Sequence, residues 1–207
     1  MRRRHSVDPY PVITKHIHFT SLRDVLPIEN RRATRDTLPL IYNDLGFKRG
    51  AEIGIFKGEY ALITCQQIPQ LEYFCIDPYR SGGSVSQEQM QTYRNLAAER
   101  LKLYNAKIIQ KTSMEALNDF ADRSLDFIYI DGDHSFDAVI LDIVFWSSKV
   151  KRGGIVACHD YCNGYLSGVI KAVDAYTYCH KINPWFVIGE LPKRIEIVAP
   201  TAFWVNP

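Results

Sequence analysis

No apolar run in this 207-residue chain approaches the ~20 residues that cross a bilayer. Arg2, Arg3 and Arg4 are not followed by the apolar stretch of a secretory leader. A soluble, cytoplasmic protein with no membrane partner is therefore expected. Cysteine is sparse and odd in number, with Cys65, Cys75, Cys158, Cys162 and Cys179 scattered along the chain, which argues against a disulfide scaffold and suits a reducing compartment. No C-x-x-C pair fixes a coordination corner, so Cys158-His159 with Cys162 and His180 makes a poor zinc site. A net charge of +2 is too mild to require a polyanionic partner. Arg2 to Arg4 and the group Arg31, Arg32 and Arg35 read as a solvated arm and an exposed helix start. Internal repeats, low-complexity tracts, the G-x-G-x-x-G fingerprint and the phosphate-binding P-loop are all missing, which disfavours phosphate chemistry.

What is there is an ordinary globular composition, 46% hydrophobic and 23% charged, on a length that suits a single domain. Residues 1 to 33 hold Pro9, Pro11 and Pro27 and no sustained period. They read as an N-terminal arm with one short helix near Ser21 to Leu26. From Thr34 the chain alternates helices and strands: a helix ending at Gly46, a strand Ala51 to Ile55, and a helix Glu59 to Gln67. A strand Leu71 to Ile76 and a helix Gln87 to Tyr104 follow, the helix carrying Met90, Tyr93, Leu96, Ala97, Leu101 and Tyr104 on one stripe. Then come a strand Ala106 to Gln110, a short helix from Ser113 capped by Thr112 or Ser113, and a strand Leu125 to Ile130. A helix Ser135 to Val150 is stopped by Gly153-Gly154, and it precedes a strand to Cys158 and a helix Leu166 to His180. Trp185 to Ile188 and pieces of Ile195 to Val205 supply the last strands. Such alternation predicts an α/β fold, a doubly wound and mainly parallel sheet with helices on both faces.

In such sheets ligands bind beyond the carboxyl ends of the strands. Those ends carry the reactive residues. Gly54 and Gly58 sit between a strand and a helix in RGAEIGIFKGEY, where bare backbone lets a ligand approach; the alternative is a plain connection. Asp77 lies roughly 20 residues further on, the separation at which an acid meets a ribose diol in nucleotide folds, or else it only makes an Asp-Pro turn. Asp131-Gly132-Asp133-His134 and His159-Asp160 are two carboxylate and imidazole clusters. They could bind a hard cation such as Mg²⁺, or a histidine could take a proton from a hydroxyl. Asp133 could instead cap the helix from Ser135, and His159 could satisfy a strand end.

With AEIGIFKGEYA, YIDGDHSFDAV and GGIVACHDY in this order, residues 50 to 165 resemble the class I S-adenosylmethionine-dependent methyltransferases, small-molecule O-methyltransferases in particular. The resemblance implies a seven-stranded sheet whose last strand is inserted antiparallel, and a methyltransferase domain over 34 to 207. It implies that Glu52, Gly54 and Gly58, with Phe56 and Lys57 in the same loop, lie under the methionine part of the cofactor. Asp77 would hold its ribose, Ser113 and Met114 would flank its adenine, and Asp131 would lie near the transferable methyl. Related enzymes hold Mg²⁺ with acids equivalent to Asp131 and Asp160 and a third oxygen ligand, where this chain has Tyr161 or His159. His134 is then the first candidate base and His159 the second. The expected acceptor is a small-molecule hydroxyl. The rival readings are a nucleic-acid binder or nucleic-acid methyltransferase using the basic arm, and a cofactor binder without turnover. Homo-oligomerisation is left open.

Overall fold

The structure, a computed structural model, describes residues 8–17, 26–82, 85–162, 167–189 and 199–207. Eight strands form one sheet: β1 (Ile28–Asn30), β2 (Arg49–Ile53), β3 (Glu72–Ile76), β4 (Ala106–Ile109), β5 (Leu125–Ile130), β6 (Val150–Cys158), β7 (Trp185–Ile188) and β8 (Thr201–Val205). Their order is β1-β7-β8-β6-β5-β2-β3-β4. Every pairing is parallel except those of β8, which runs antiparallel to both β6 and β7. Seven α-helices among the described residues cover it: α1 (Pro9–His16), α2 (Thr37–Asp44), α3 (Glu59–Gln67), α4 (Gln87–Leu101), α5 (Ser113–Ala116), α6 (Phe136–Lys149) and α7 (Ser167–Cys179).

Alternation along each strand divides the core in two, because successive side chains leave a strand on opposite faces. Phe127 and Tyr129 of β5 join Tyr42, Tyr60, Tyr73 and Ala97 under α1 to α4. Ile128 and Ile130 point the other way and join Trp146, Val173 and Trp204 under α5 to α7. The doubly wound architecture is the one that the sequence period predicts, and the inserted antiparallel strand is present.

Four readings change. The sheet has eight strands where seven are expected, because Ile28–Asn30 pairs in parallel with β7 at the edge. Three residues after a proline are too short to show a period. In the same stretch Pro9, which looks like a breaker, opens α1 at its first position, where a missing N–H costs nothing, with Asp8 accepting from Tyr10 N. The glycines Gly153-Gly154 do not stop α6, which ends at Lys149; they lie inside β6, where the register with β5 shifts. Leu96 is 41% exposed and leaves the stripe of α4, although Ala97 and Leu101 are buried as expected. The helix expected over Ser21 to Leu26 falls, apart from Leu26, outside the described residues, as do Arg2 to Arg4, Leu166 and Ile195 to Val198. All five cysteines are free, and four of them are buried. No helix among the described residues is long and apolar enough to cross a membrane.

The joint between α6 and β6 is closed from the C-terminus. Buried Asn206 donates through Nδ2 to Ser147 O at 3.0 Å and to Val150 O at 2.9 Å. Its backbone pairs with Gly153 and Gly154. Replacing Asn206 by Ala strips two buried carbonyls of their donor, and we expect urea unfolding to report a loss of about 2 kcal/mol; a loss below ~0.5 kcal/mol would contradict this account.

Candidate active site

The pairing that builds the sheet also sets out the site. Ile53 is level with Ile76 and with Ile130, and Ile130 with Cys158. The next residue of each strand is therefore level too: Asp77, Gly54, Asp131 and His159. Their amides extend the ladder by one more rung, Gly54 N to Ile76 O at 2.8 Å, Asp131 N to Ile53 O at 2.9 Å and His159 N to Ile130 O at 2.9 Å. At the usual strand spacing this row is roughly 14 Å long.

Gly54 is required on two counts. Its φ is +83°, and a Cβ there would lie 2.1 Å from Asp131 O. The chain leaves several tips in the left-handed region even without glycine, at Phe56 (φ 49°), Tyr79 (φ 47°) and Asp160 (φ 58°). Side chains brace these turns. Asp77 Oδ2 accepts from Phe56 N at 2.9 Å and Oδ1 from Tyr79 N at 2.8 Å, while the Tyr79 hydroxyl donates to Phe56 O at 2.9 Å. Asp77 thus makes the turn and still keeps acceptor capacity, since a carboxylate offers about four lone-pair positions. Burial raises its pKa, opposed by those two amides.

Asp131, His134, His159 and Asp160 form one charged cluster. His134 Nε2 lies 2.7 Å from Asp160 Oδ2 and 3.8 Å from Asp131 Oδ1; His159 Nδ1 lies 3.2 Å from Asp160 Oδ1 and 3.4 Å from Asp131 Oδ1. Asp131 and Asp160, the latter nearer, lift His134 to about 10. Burial works against a charged His159, but the same two carboxylates raise it to about 9. Burial likewise opposes the charged carboxylates, yet the imidazoles hold both Asp131 and Asp160 below the ordinary range. Both rings are therefore charged at neutral pH in the free protein. The turn carrying His134 is clamped by α7, where a Cβ on Gly168 would meet His134 O at 2.3 Å. Asp133 stands apart and accepts from Ser135 N at 2.7 Å, the helix-start role open to it. Tyr161 also leaves the cluster, donating to Asp174 and packing on Trp185.

A cavity of about 590 Å³ lies against this row, and Gly54, Phe56, Asp77, Ser113, Asp131 and His134 all line it. Met114 does not; it packs against the core on the α6 side. Gly58 starts α3 with φ +74°, and Lys57 folds its ammonium over the Phe56 and Tyr93 rings. Glu52 lies beneath the row, 2% exposed, with Tyr73 donating to Oε2 at 2.9 Å. Sequence reasoning missed Met90 and Asp142, which also line the cavity; Asp142 is buried on α6 and pushed up to about 6 by that burial. It also missed Arg35, which is not on an exposed helix start but is turned inward toward Asp131. A single acid on the apolar face of α6 was the only signal for Asp142.

Burial pushes Glu52 up from 4.5 to about 8, against the Tyr73 hydrogen bond; Asp131 adds to the shift and Arg35 opposes it. An acid whose pKa is raised on folding leaves stability intact below its unfolded value, and that stability is lost as pH climbs to the folded value. The window is therefore pH 4.5 to about 8. Glu52→Gln keeps an acceptor for Tyr73 and removes the titration. Urea unfolding at pH 5 and pH 8.5 should show the variant gaining on wild type by on the order of 4 kcal/mol across that interval; an unchanged difference would contradict the burial account.

Comparisons with known proteins agree with this geometry. Residues 51–161, more than half of the chain, match the family described as Methyltransferase domain. The uncharacterized protein y4gI of Sinorhizobium fredii (strain NBRC 101917 / NGR234) is 25% identical over 118 residues, 55% of this chain, and the chain spans 13% of that protein's length. Among solved structures, cofactor-bound Rv0187 from MTB is 12% identical with a TM-score of 0.62, covering 83% of this chain and 78% of its own. A putative caffeoyl-CoA O-methyltransferase from Staphylococcus aureus is 14% identical with a TM-score of 0.61, covering 83% and 82%. The O-methyltransferase from Bacillus cereus in complex with SAH is 10% identical with a TM-score of 0.62, covering 82% and 79%. At these identities the solved structures speak for the fold, whereas the family match covers the stretch that carries Gly54, Asp77, Asp131 and Asp160, and on that ground this chain belongs to the Methyltransferase domain family.

Proposed function

We propose that this chain is an S-adenosylmethionine-dependent methyltransferase acting on a hydroxyl oxygen of a small molecule. The observation that carries this reading is that Gly54, Asp77, Ser113, Asp131 and His134, from four strand ends, border one cavity. The Bacillus cereus neighbour binds SAH and the Staphylococcus aureus neighbour is described as an O-methyltransferase, which supports both the cofactor and the oxygen acceptor. The cavity suits the cofactor chemically. Asp77 keeps lone pairs for a ribose diol, Gly54 offers bare backbone, and Ser113 with Met90 and Ile76 gives the wall a polar and apolar mix for a purine.

When bound, S-adenosylmethionine supplies a methyl group on a positively charged sulfur, whose charge also lowers the pKa of a neighbouring imidazole. This chain's own work is positioning and removal of one proton. His134 borders the cavity, whereas His159 is buried, so His134 is our candidate base: it would first release to solvent the proton it holds in the free protein, as the sulfonium charge favours, then take the acceptor's hydroxyl proton, with Asp160 holding the resulting imidazolium. His159 serves to neutralise Asp131 and Asp160.

Mg²⁺ does not suit these residues. Asp131, His134 and Asp160 can bring one ligand atom each within 4.8 Å of one another, but the third donor is an imidazole nitrogen, and Mg²⁺ selects an all-oxygen octahedron. Both carboxylates are also engaged by histidines, Asp160 by His134 and Asp131 by His159.

Two measurements test this. Asp77→Ala should weaken S-adenosylhomocysteine binding by at least about 100-fold in calorimetry, and wild-type protein with a labelled methyl donor should label hydroxylated members of a metabolite panel; unchanged affinity, or labelling confined to nucleic acid, would refute the reading. Turnover in excess EDTA should stay within about twofold of the untreated rate, whereas a loss beyond about tenfold that Mg²⁺ restores would reinstate the metal.

A further inference from the structure

Arg35 has no part in the chemistry described so far. Its segment follows β1, yet its guanidinium is turned back to the row of strand tips, with its side chain 24% exposed. It lies over the Tyr60 ring at 5.3 Å, and the Tyr60 hydroxyl donates to Arg35 O at 3.3 Å. Arg35, Glu52, Gly54, Glu59, Tyr60 and Asp131 wall a recess of about 100 Å³. The recess shares Gly54, Phe56 and Asp131 with the large cavity. It is therefore a side chamber that adjoins the large cavity along Gly54, Phe56 and Asp131, and Asp77 is not part of its wall.

The charges in this chamber favour an incoming anion. Its floor, Glu52, is held largely neutral up to about pH 8 by burial. Glu59 is engaged by Arg100 at 3.3 Å. Lys57 also borders the recess, but its ammonium rests against the Phe56 and Tyr93 rings. Arg35 Nη1 stands 3.8 Å from Asp131 Oδ2, whereas a charge-assisted hydrogen bond spans about 2.7–2.9 Å. The Tyr129 hydroxyl also contacts the guanidinium, but one hydroxyl and a carboxylate at this distance do not saturate its planar fork of five donors, which can still meet a carboxylate through two parallel bonds.

We propose that Arg35 binds the α-carboxylate of S-adenosylmethionine, so that the side chamber seats the amino-acid end of the cofactor while Asp77 holds its ribose. The assignment rests on the cofactor reading above. A carboxylate leaving water for this chamber needs strong donors to offset its lost hydration, and Arg35 is the guanidinium that borders it. The cofactor site would then include a residue from the N-terminal side of the family-matched stretch, which begins at residue 51.

Two ligands separate the assignment from the reading beneath it: S-adenosylhomocysteine, which carries the carboxylate, and 5′-methylthioadenosine, which lacks the amino acid. In calorimetry, wild-type protein should bind both. Arg35→Gln should weaken S-adenosylhomocysteine by about 10- to 100-fold and leave 5′-methylthioadenosine within about twofold, with Arg35→Lys between wild type and the glutamine variant because a point charge replaces the fork. An Arg35→Gln protein that keeps wild-type affinity for S-adenosylhomocysteine, or loses both ligands alike, overturns the assignment alone. Wild-type protein that binds neither ligand overturns the cofactor reading and the assignment with it.

Discussion

Strand register is the constraint on which the rest depends. Because Ile76, Ile53, Ile130 and Cys158 stand level across four neighbouring strands, the pairing itself brings residues 54, 77, 131 and 159 into one row, and the contacts between the tips, such as Asp77 with Phe56 N, only brace it. A slip of one residue in any of these pairings would turn the strand's side chains to the opposite face. It would break both core layers at once, because Phe127 and Tyr129 serve one and Ile128 and Ile130 the other. The packing energy of the core thus fixes the geometry of the site.

Above that row the electrostatics are balanced within a small volume. Two carboxylates and two imidazoles face one another, and each group's charge is favoured by the opposite pair against the cost of burial. Removing one member of such a set leaves its partners charged and poorly solvated, which is the costly case for buried ions. The cluster is therefore a single unit. Glu52, one layer below, escapes the same expense by holding its proton.

Much of this was legible in the sequence, for a physical reason. Strands β2, β3, β5 and β6 are apolar runs that end abruptly in glycine, aspartate or histidine, so both the element and its reactive tip are written locally. Asp133 and Ser135, which brace the start of α6, follow the same local rule. What could not be read depends on distance in the chain. Arg35 looked like one of three exposed arginines, and only tertiary folding separates it from Arg31, whose partner is Glu29. Asp142 is a lone acid on an amphipathic helix, and its place depends on tertiary folding, which brings α6 to Ser113 at the cavity wall. Met114 follows the capping box of Thr112 with Glu115 and packs, partly buried, against the core on the α6 side.

Strand β1 looks dispensable, at three residues, but it bears on how the sheet ends. Without it, β7 with its Trp-Phe-Val-Ile sequence would present a row of open backbone donors and acceptors, the template on which a second chain can build. Ile28–Asn30 covers that row while offering little template of its own: it is short, it is preceded by Pro27, and it carries the charged Glu29 at its centre. A chain trimmed to begin at Thr34 would keep the reactive strand tips, but it would lose Ile13, Ile17 and Ile28 from one core layer together with this cover, and its danger would be self-association through β7.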